Sequence, residues 1–76
     1  MKITLLGRTG CPTCAKLEMD TINALAQLGI DAQVEHIFDP EVVKEYDVLP
    51  PAFILDATVK AAGRALSLSE IKAILS

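Results

Sequence analysis

The sequence predicts an α/β domain of element order β-α-β-α-β-β-α, a four-stranded mixed sheet flanked by three helices. Three observations lead there. Apolar residues recur at helical spacing in some stretches and in short extended runs in others. The boundaries between them fall on Gly, Pro and cap-forming residues. The chain has 76 residues and is 51% hydrophobic, which supports one core at a length where burial is marginal. Residues 1–76 are expected to form a single domain, with no linker, repeat or low-complexity segment.

Lys2 to Arg8 favours extended structure through Ile3, Thr4, Leu5 and Leu6, and Gly7, Thr9 and Gly10 punctuate it. From Pro12 the pattern turns helical. Cys14, Leu17, Thr21, Leu25 and Leu28 fall at steps of three and four, forming one stripe at period 3.6. Pro12 suits the first helical position, whose N–H has no intrahelical partner. Gly29 is placed to end the helix in the left-handed conformation. Asp31 to Phe38 alternates, with Ala32, Val34, His36 and Phe38 on one side, and predicts a second strand. Asp39-Pro40 starts a short helix, which ends near Tyr46 or Asp47, since Pro50-Pro51 forbids its continuation.

Ala52 to Leu55 is continuously apolar, as in a strand buried on both faces. Asp56-Ala57 predicts a two-residue hairpin turn, and Thr58 to Ala65 the returning strand, with Gly63 marking a bulge or a close contact. Ser67-Leu68-Ser69-Glu70 has the spacing of a capping box. It opens a last helix with Leu68, Ile71, Ile74 and Leu75 inward. The first two strands, joined by a helix, should be parallel.

Composition removes several function classes. Formal net charge is −3, the seven Lys and Arg are scattered, and aromatics are 4% of the chain. A nucleic-acid or membrane-surface role therefore has no electrostatic support. The longest apolar runs are about four residues, against the ~20 that span a bilayer. Arg8 interrupts the N-terminal stretch before it reaches the roughly 7–15 apolar residues of a secretory signal. The expectation is a cytoplasmic protein, where a C-x-x-C pair is more often catalytic or metal-binding than structural.

That pair is Cys11 and Cys14, in Thr9-Gly10-Cys11-Pro12-Thr13-Cys14. Cys11 is placed at the helix N-cap and Cys14 one turn further in. Residues three apart on a helix bring their Cβ atoms to about 5–6 Å, close enough for a disulfide. Unpaired N–H groups and the positive end of the helix dipole favour a thiolate at Cys11. Only the thiolate attacks a disulfide, so Cys11 is the expected nucleophile and Cys14 the resolving thiol. As a staple, the pair would close a loop of four residues and contribute only about 2 kcal/mol. As a metal clip, it lacks ligands: the chain has one His and no further Cys. A metal or cluster held by Cys11 and Cys14 across a dimer is the alternative reading.

These residues together resemble the thioredoxin superfamily: G-C-P-T-C after a first strand, a βαβ unit, a Pro before an apolar strand, a hairpin and a short last helix. More narrowly, the chain resembles the small, glutaredoxin-sized, thioredoxin-like redox-active disulfide proteins of archaea and bacteria. The resemblance covers essentially the whole chain and implies a thioredoxin-like fold and a thiol–disulfide oxidoreductase. It matches Cys11 and Cys14 to the family's two cysteines. It makes Pro12 and Thr13, within the motif, and Pro50 and Pro51, before the apolar strand, the substrate-binding candidates. Pro51 matches the family's cis-proline; alternatively Pro50 is the cis residue and Leu49 pairs with substrate. No cofactor is implied. The implied partners are disulfide-containing protein substrates and, as electron donor, a flavin-dependent disulfide reductase or a low-molecular-weight thiol, acting on a monomer.

Three features depart from the family pattern. Pro50 has no N–H to offer a substrate backbone. The dipeptide inside the motif is Pro-Thr, where thioredoxin has Gly-Pro. The acidic pair with which glutaredoxins hold glutathione is absent from Ala61 to Ser67. Among other residues, Lys16 and Arg8 are expected as solvated cations, and Thr13 offers hydroxyl or backbone to the Cys11 sulfur. Tyr46 and Phe38 are expected in the core or at its rim, and His36 on a strand surface without a catalytic role. No acidic residue stands out as proton acceptor for Cys14.

Overall fold

A computed structural model describes residues 1–76 and contains every predicted element in the predicted order. These are β1 (Lys2–Leu6), α1 (Pro12–Leu28), β2 (Gln33–Ile37), α2 (Pro40–Glu45), β3 (Ala52–Leu55), β4 (Thr58–Ala62) and α3 (Leu68–Leu75). The four strands form one mixed sheet in the order β2-β1-β3-β4. β1 pairs parallel with β2, β1 antiparallel with β3, and β3 antiparallel with β4. No helix is long and apolar enough to cross a membrane.

β1 is central, and its register sorts the core. Leu5 lies between His36 and Phe53, and Leu6 between Ile37 and Ala52. Successive side chains point to opposite faces. Ile3, Leu5 and Phe53 therefore join Leu17, Ala24, Leu25, Leu66, Ile71 and Leu75 under α1 and α3. Leu6, Ala52 and Ile54 join Val43 under α2. Both faces are covered, so β1 and β3 read as continuous apolar runs, not as alternation.

The helices start where their caps dictate. Cys11 is the N-cap of α1 with Pro12 at its first turn, and Gly29 ends it at φ 66. Asp39 caps α2, its Oδ1 accepting from the Glu41 N–H at 3.0 Å. Ser67 and Glu70 form the reciprocal capping box at the start of α3. The hairpin turn is the two-residue one: Leu55 pairs with Thr58, and Asp56 and Ala57 both have positive φ, as a type I′ turn requires. Asp56 also ties the turn to β1, through its N–H to the Lys2 carbonyl and its Oδ1 to the Lys2 N–H.

Three strands are shorter than the sequence reading, and the first of them, β1, ends at Leu6 and not at Arg8. β2 is shorter at both ends than Asp31 to Phe38. β4 stops at Ala62, not Ala65, because Gly63 turns out of the ladder at φ 77 and its N–H bonds the Leu49 carbonyl at 2.7 Å. Gly63 is thus a close contact and not the bulge. The bulge falls at Lys60, between the pairs Ile54–Val59 and Phe53–Ala61.

Candidate active site

The strand-to-helix junction carries the two cysteines, both free thiols. β1 ends, Gly10 takes a left-handed turn at φ 74, and Cys11 caps α1 from an extended backbone. Its Sγ accepts the Cys14 backbone N–H at 3.2 Å and the Cys14 thiol at 2.7 Å. Cys11 is half-buried, whereas Cys14, on the inner stripe of α1, is 1% exposed.

These surroundings pull two identical thiols apart. The Cys11 thiol is held below its ordinary value, chiefly by the hydrogen bond from the Cys14 side chain. The Cys14 and Thr13 backbone N–H groups and the charge of Arg8 act the same way, against a smaller cost of burial. The Cys14 thiol is pushed up, first by burial and then by its bond to Cys11, against the backbone N–H of Arg8. An anion on Cys11 is favoured and one on Cys14 resisted, as the helix-start argument expects.

Pro12 and Thr13 are exposed between the cysteines. A cavity of about 520 Å³ opens beside the junction, lined by the loop Gly7 to Thr9, by Phe38, Val43 and Lys44, and by Leu49 and Pro50. Leu49 is the most exposed large hydrophobic residue, at 74%. The Pro50–Pro51 peptide bond is cis, so Pro51 is the cis residue. Pro51 is buried; Leu6 pairs with Ala52, so Gly7 and Pro51 follow on side by side at this end of the sheet. The structure thus gathers Cys11, Cys14, Arg8 and Pro50 around one junction. Lys16 faces away, paired with Asp20 at 2.7 Å. Phe38 and Tyr46 sit at the rim, 43% and 40% exposed. No group of three or more His, Cys, Asp or Glu converges anywhere in the chain.

His36 is not the surface residue expected from the sequence. Its side chain is 8% exposed, its Nδ1 lies 2.6 Å from Glu18 Oε2 on α1, and its ring stacks at 4.0 Å on Phe38. The alternation of β2 placed Val34 and His36 on one side. What it could not reveal is that α1 lies over that side.

The whole chain, residues 1–76, matches the family described as Thioredoxin domain. The thioredoxin of Methanothermobacter thermautotrophicus is 40% identical over 77 residues, covering 100% of this chain and 99% of that protein. The thioredoxin of Methanocaldococcus jannaschii is 31% identical over 64 residues, covering 84% of this chain and 74% of that protein. With a sheet of this topology and a Cys-Pro-Thr-Cys motif at its first helix, the chain belongs to the thioredoxin family and is a thiol–disulfide oxidoreductase.

Proposed function

We propose that residues 1–76 act as one domain, a cytoplasmic, monomeric protein-disulfide reductase that cycles Cys11 and Cys14 between dithiol and disulfide. The observation that carries this reading is the asymmetry of the pair: an accessible sulfur favoured as the anion beside a buried one held as the thiol. The Cys11 thiolate attacks one sulfur of a substrate disulfide, forming a mixed disulfide and releasing the first substrate thiolate. Cys14 then gives up its proton and attacks Cys11 Sγ. The Cys11–substrate bond breaks, and the second substrate thiolate leaves and is protonated. The substrate gains two electrons, which the Cys11–Cys14 dithiol loses.

Pro12, Thr13, Pro50 and Pro51 form the substrate-facing surface in this reading. The apolar wall of the cavity, Val43, Val48 and Leu49, would take a side chain next to the substrate disulfide. Pro50 supplies no N–H, so backbone pairing is weakened and the cavity carries more of the recognition. Electrons return from a flavin-dependent disulfide reductase or a low-molecular-weight thiol. An insulin-reduction assay on the wild type and on Cys11→Ser tests the reading. Loss of turnover in the variant is expected, and equal turnover in the two proteins overturns it.

A further inference from the structure

The reaction requires the buried Cys14 thiol to lose its proton at the moment the mixed disulfide is resolved. Neither Cys11 nor the prolines and Thr13 of the substrate-facing surface can accept it. The thiol is desolvated and titrates above its ordinary value, so an unaided ionisation at neutral pH is rare. A positioned base is what such a step needs.

Gly7 shows where that base sits. A Cβ built on Gly7 would lie 2.8 Å from His36 Nε2, 3.1 Å from Cys14 Cβ and 3.4 Å from Cys14 Sγ. A side chain at this position would collide with the imidazole, so the bare glycine backbone is what lets the imidazole and the resolving sulfur approach each other. The two atoms can be no farther apart than those two distances laid end to end. That lies within reach of a relay through one water, two hydrogen bonds of at most about 3.2 Å each. On the opposite edge of the ring, Nδ1 is 2.6 Å from the Glu18 carboxylate. A carboxylate there accepts the Nδ1 proton and so leaves Nε2 as the acceptor. Nε2 has no hydrogen-bond partner of its own. The sequence separates the parts widely: Gly7 ends β1, Cys14 and Glu18 are one turn apart on α1, and His36 is on β2.

We propose that His36 Nε2 is the proton acceptor for Cys14, and that Glu18 is the positioning residue that fixes its tautomer and ring. This step rests on the assignment of Cys11 as attacking and Cys14 as resolving sulfur. The Cys14 S–H bond breaks and its proton goes to Nε2, directly or through one water. The sulfur's electron pair forms the bond to Cys11 Sγ. The substrate thiolate leaves with the pair from the broken Cys11–substrate bond, and the imidazolium returns its proton to that thiolate or to solvent. The charged group facing the ring is Glu18 from α1, while Arg8 and Cys11 act on Cys14 at the junction. On the Phe38 side the neighbour is an uncharged aromatic ring.

The test is stopped-flow reaction of the reduced protein with 5,5′-dithiobis(2-nitrobenzoate). Its first released thiolate reports attack by Cys11 and its second reports resolution by Cys14. In His36→Gln the first phase should hold and the second should slow by roughly 100-fold. The second-phase rate of the variant should also keep climbing with pH through the range where the wild type has levelled off, since Cys14 must then ionise unaided. Glu18→Gln should move the second phase in the same direction by less. Because Glu18 is 40% exposed, that variant keeps the fold and decides the matter if His36→Gln does not. A second phase within about twofold of wild type in the folded variants, or an equal slowing of both phases with an unchanged pH profile, overturns the proposal. A first phase that survives Cys11→Ser overturns instead the assignment of the sulfurs on which it rests.

Discussion

On one face of the sheet α1 and α3 cover nine buried residues, Phe53 among them. On the other face α2, six residues long, covers four. The first face is closed: none of its nine buried residues lines a cavity. The second leaves a cavity of about 520 Å³ walled by Val43, Val48 and Phe38. A chain this short has apolar surface for one thick layer, and it spends that layer on the α1–α3 side. The thin side is left open enough to receive something. The two cysteines sit at the end where the layers meet. Cys14 belongs to the closed face, which is why its thiol is desolvated, and Cys11 lies at the loop that borders the open one.

Breaking the closed face should have the largest effect. Phe53 is fully buried and among the largest side chains in the core. Phe53→Ala should cost about 3–5 kcal/mol, against a total of about 5–15 kcal/mol for an ordinary domain. Urea unfolding followed by circular dichroism measures it. A loss below about 1 kcal/mol would mean that the thick layer does not carry the fold.

The matching change on the open face should be milder. Val43 is 6% exposed and is α2's contribution to the smaller core. Val43→Ala removes two methyl groups, worth about 1.6 kcal/mol at ~0.8 kcal/mol each. The adjoining cavity lets the site relax, which holds down any further cost. The same urea titration should therefore place this variant well above Phe53→Ala. In the proposed reaction it should also raise KM for a protein disulfide while leaving kcat nearly unchanged, because the cavity binds and the sulfurs react. Equal losses from the two substitutions would erase the distinction between the faces.

How much of this was legible in the chain depends on how local each cause is. The stripe Cys14, Leu17, Thr21, Leu25 and Leu28 could be read because a helix repeats within itself, and the structure buries it as expected apart from the half-buried Leu28. Ala24, equally buried, gave no signal because alanine suits either side of a helix. The helix caps and the Asp56-Ala57 turn are decided by three or four neighbouring residues, and they were readable too. Gly63 stayed open between a bulge and a close contact, and β4 was read three residues too long, because the partner of Gly63, the Leu49 carbonyl, is fourteen positions back. The choice between Pro50 and Pro51 stayed open for the same reason, since the surrounding strands fix the geometry of that bond. His36 is the clearest case. Nothing in Gln33 to Ile37 says that α1 crosses over this side of β2, and without that crossing an imidazole on the sheet's edge strand reads as solvated. The motif was local and visible; the burial and the Arg8 loop that differentiate its two sulfurs come from the fold around it.

The smallest effect is expected at the outer end of the closed face, where α3 begins. The Glu70 carboxylate is held at about 2, down from an ordinary 4.5, first by its hydrogen bond to Arg64 and then by the Ser67 N–H. Arg64 reaches it at 2.8 Å, and both side chains are largely exposed, so solvent screens most of the interaction. The sign follows from the depressed value. The ionised form is favoured in the folded state, so the contribution is fully present above pH 4.5 and is lost as pH falls toward 2. Glu70→Gln keeps the acceptor of the capping box and removes only the charge. The wild type should be slightly more stable than the variant near neutral pH, and the two should converge as pH approaches 2. Thermal melts across that range measure the difference. A gap that stays constant down to the lowest pH would assign the stabilisation of α3 to the cap's hydrogen bonds alone, and would leave the closed face resting on its apolar packing without help from charge.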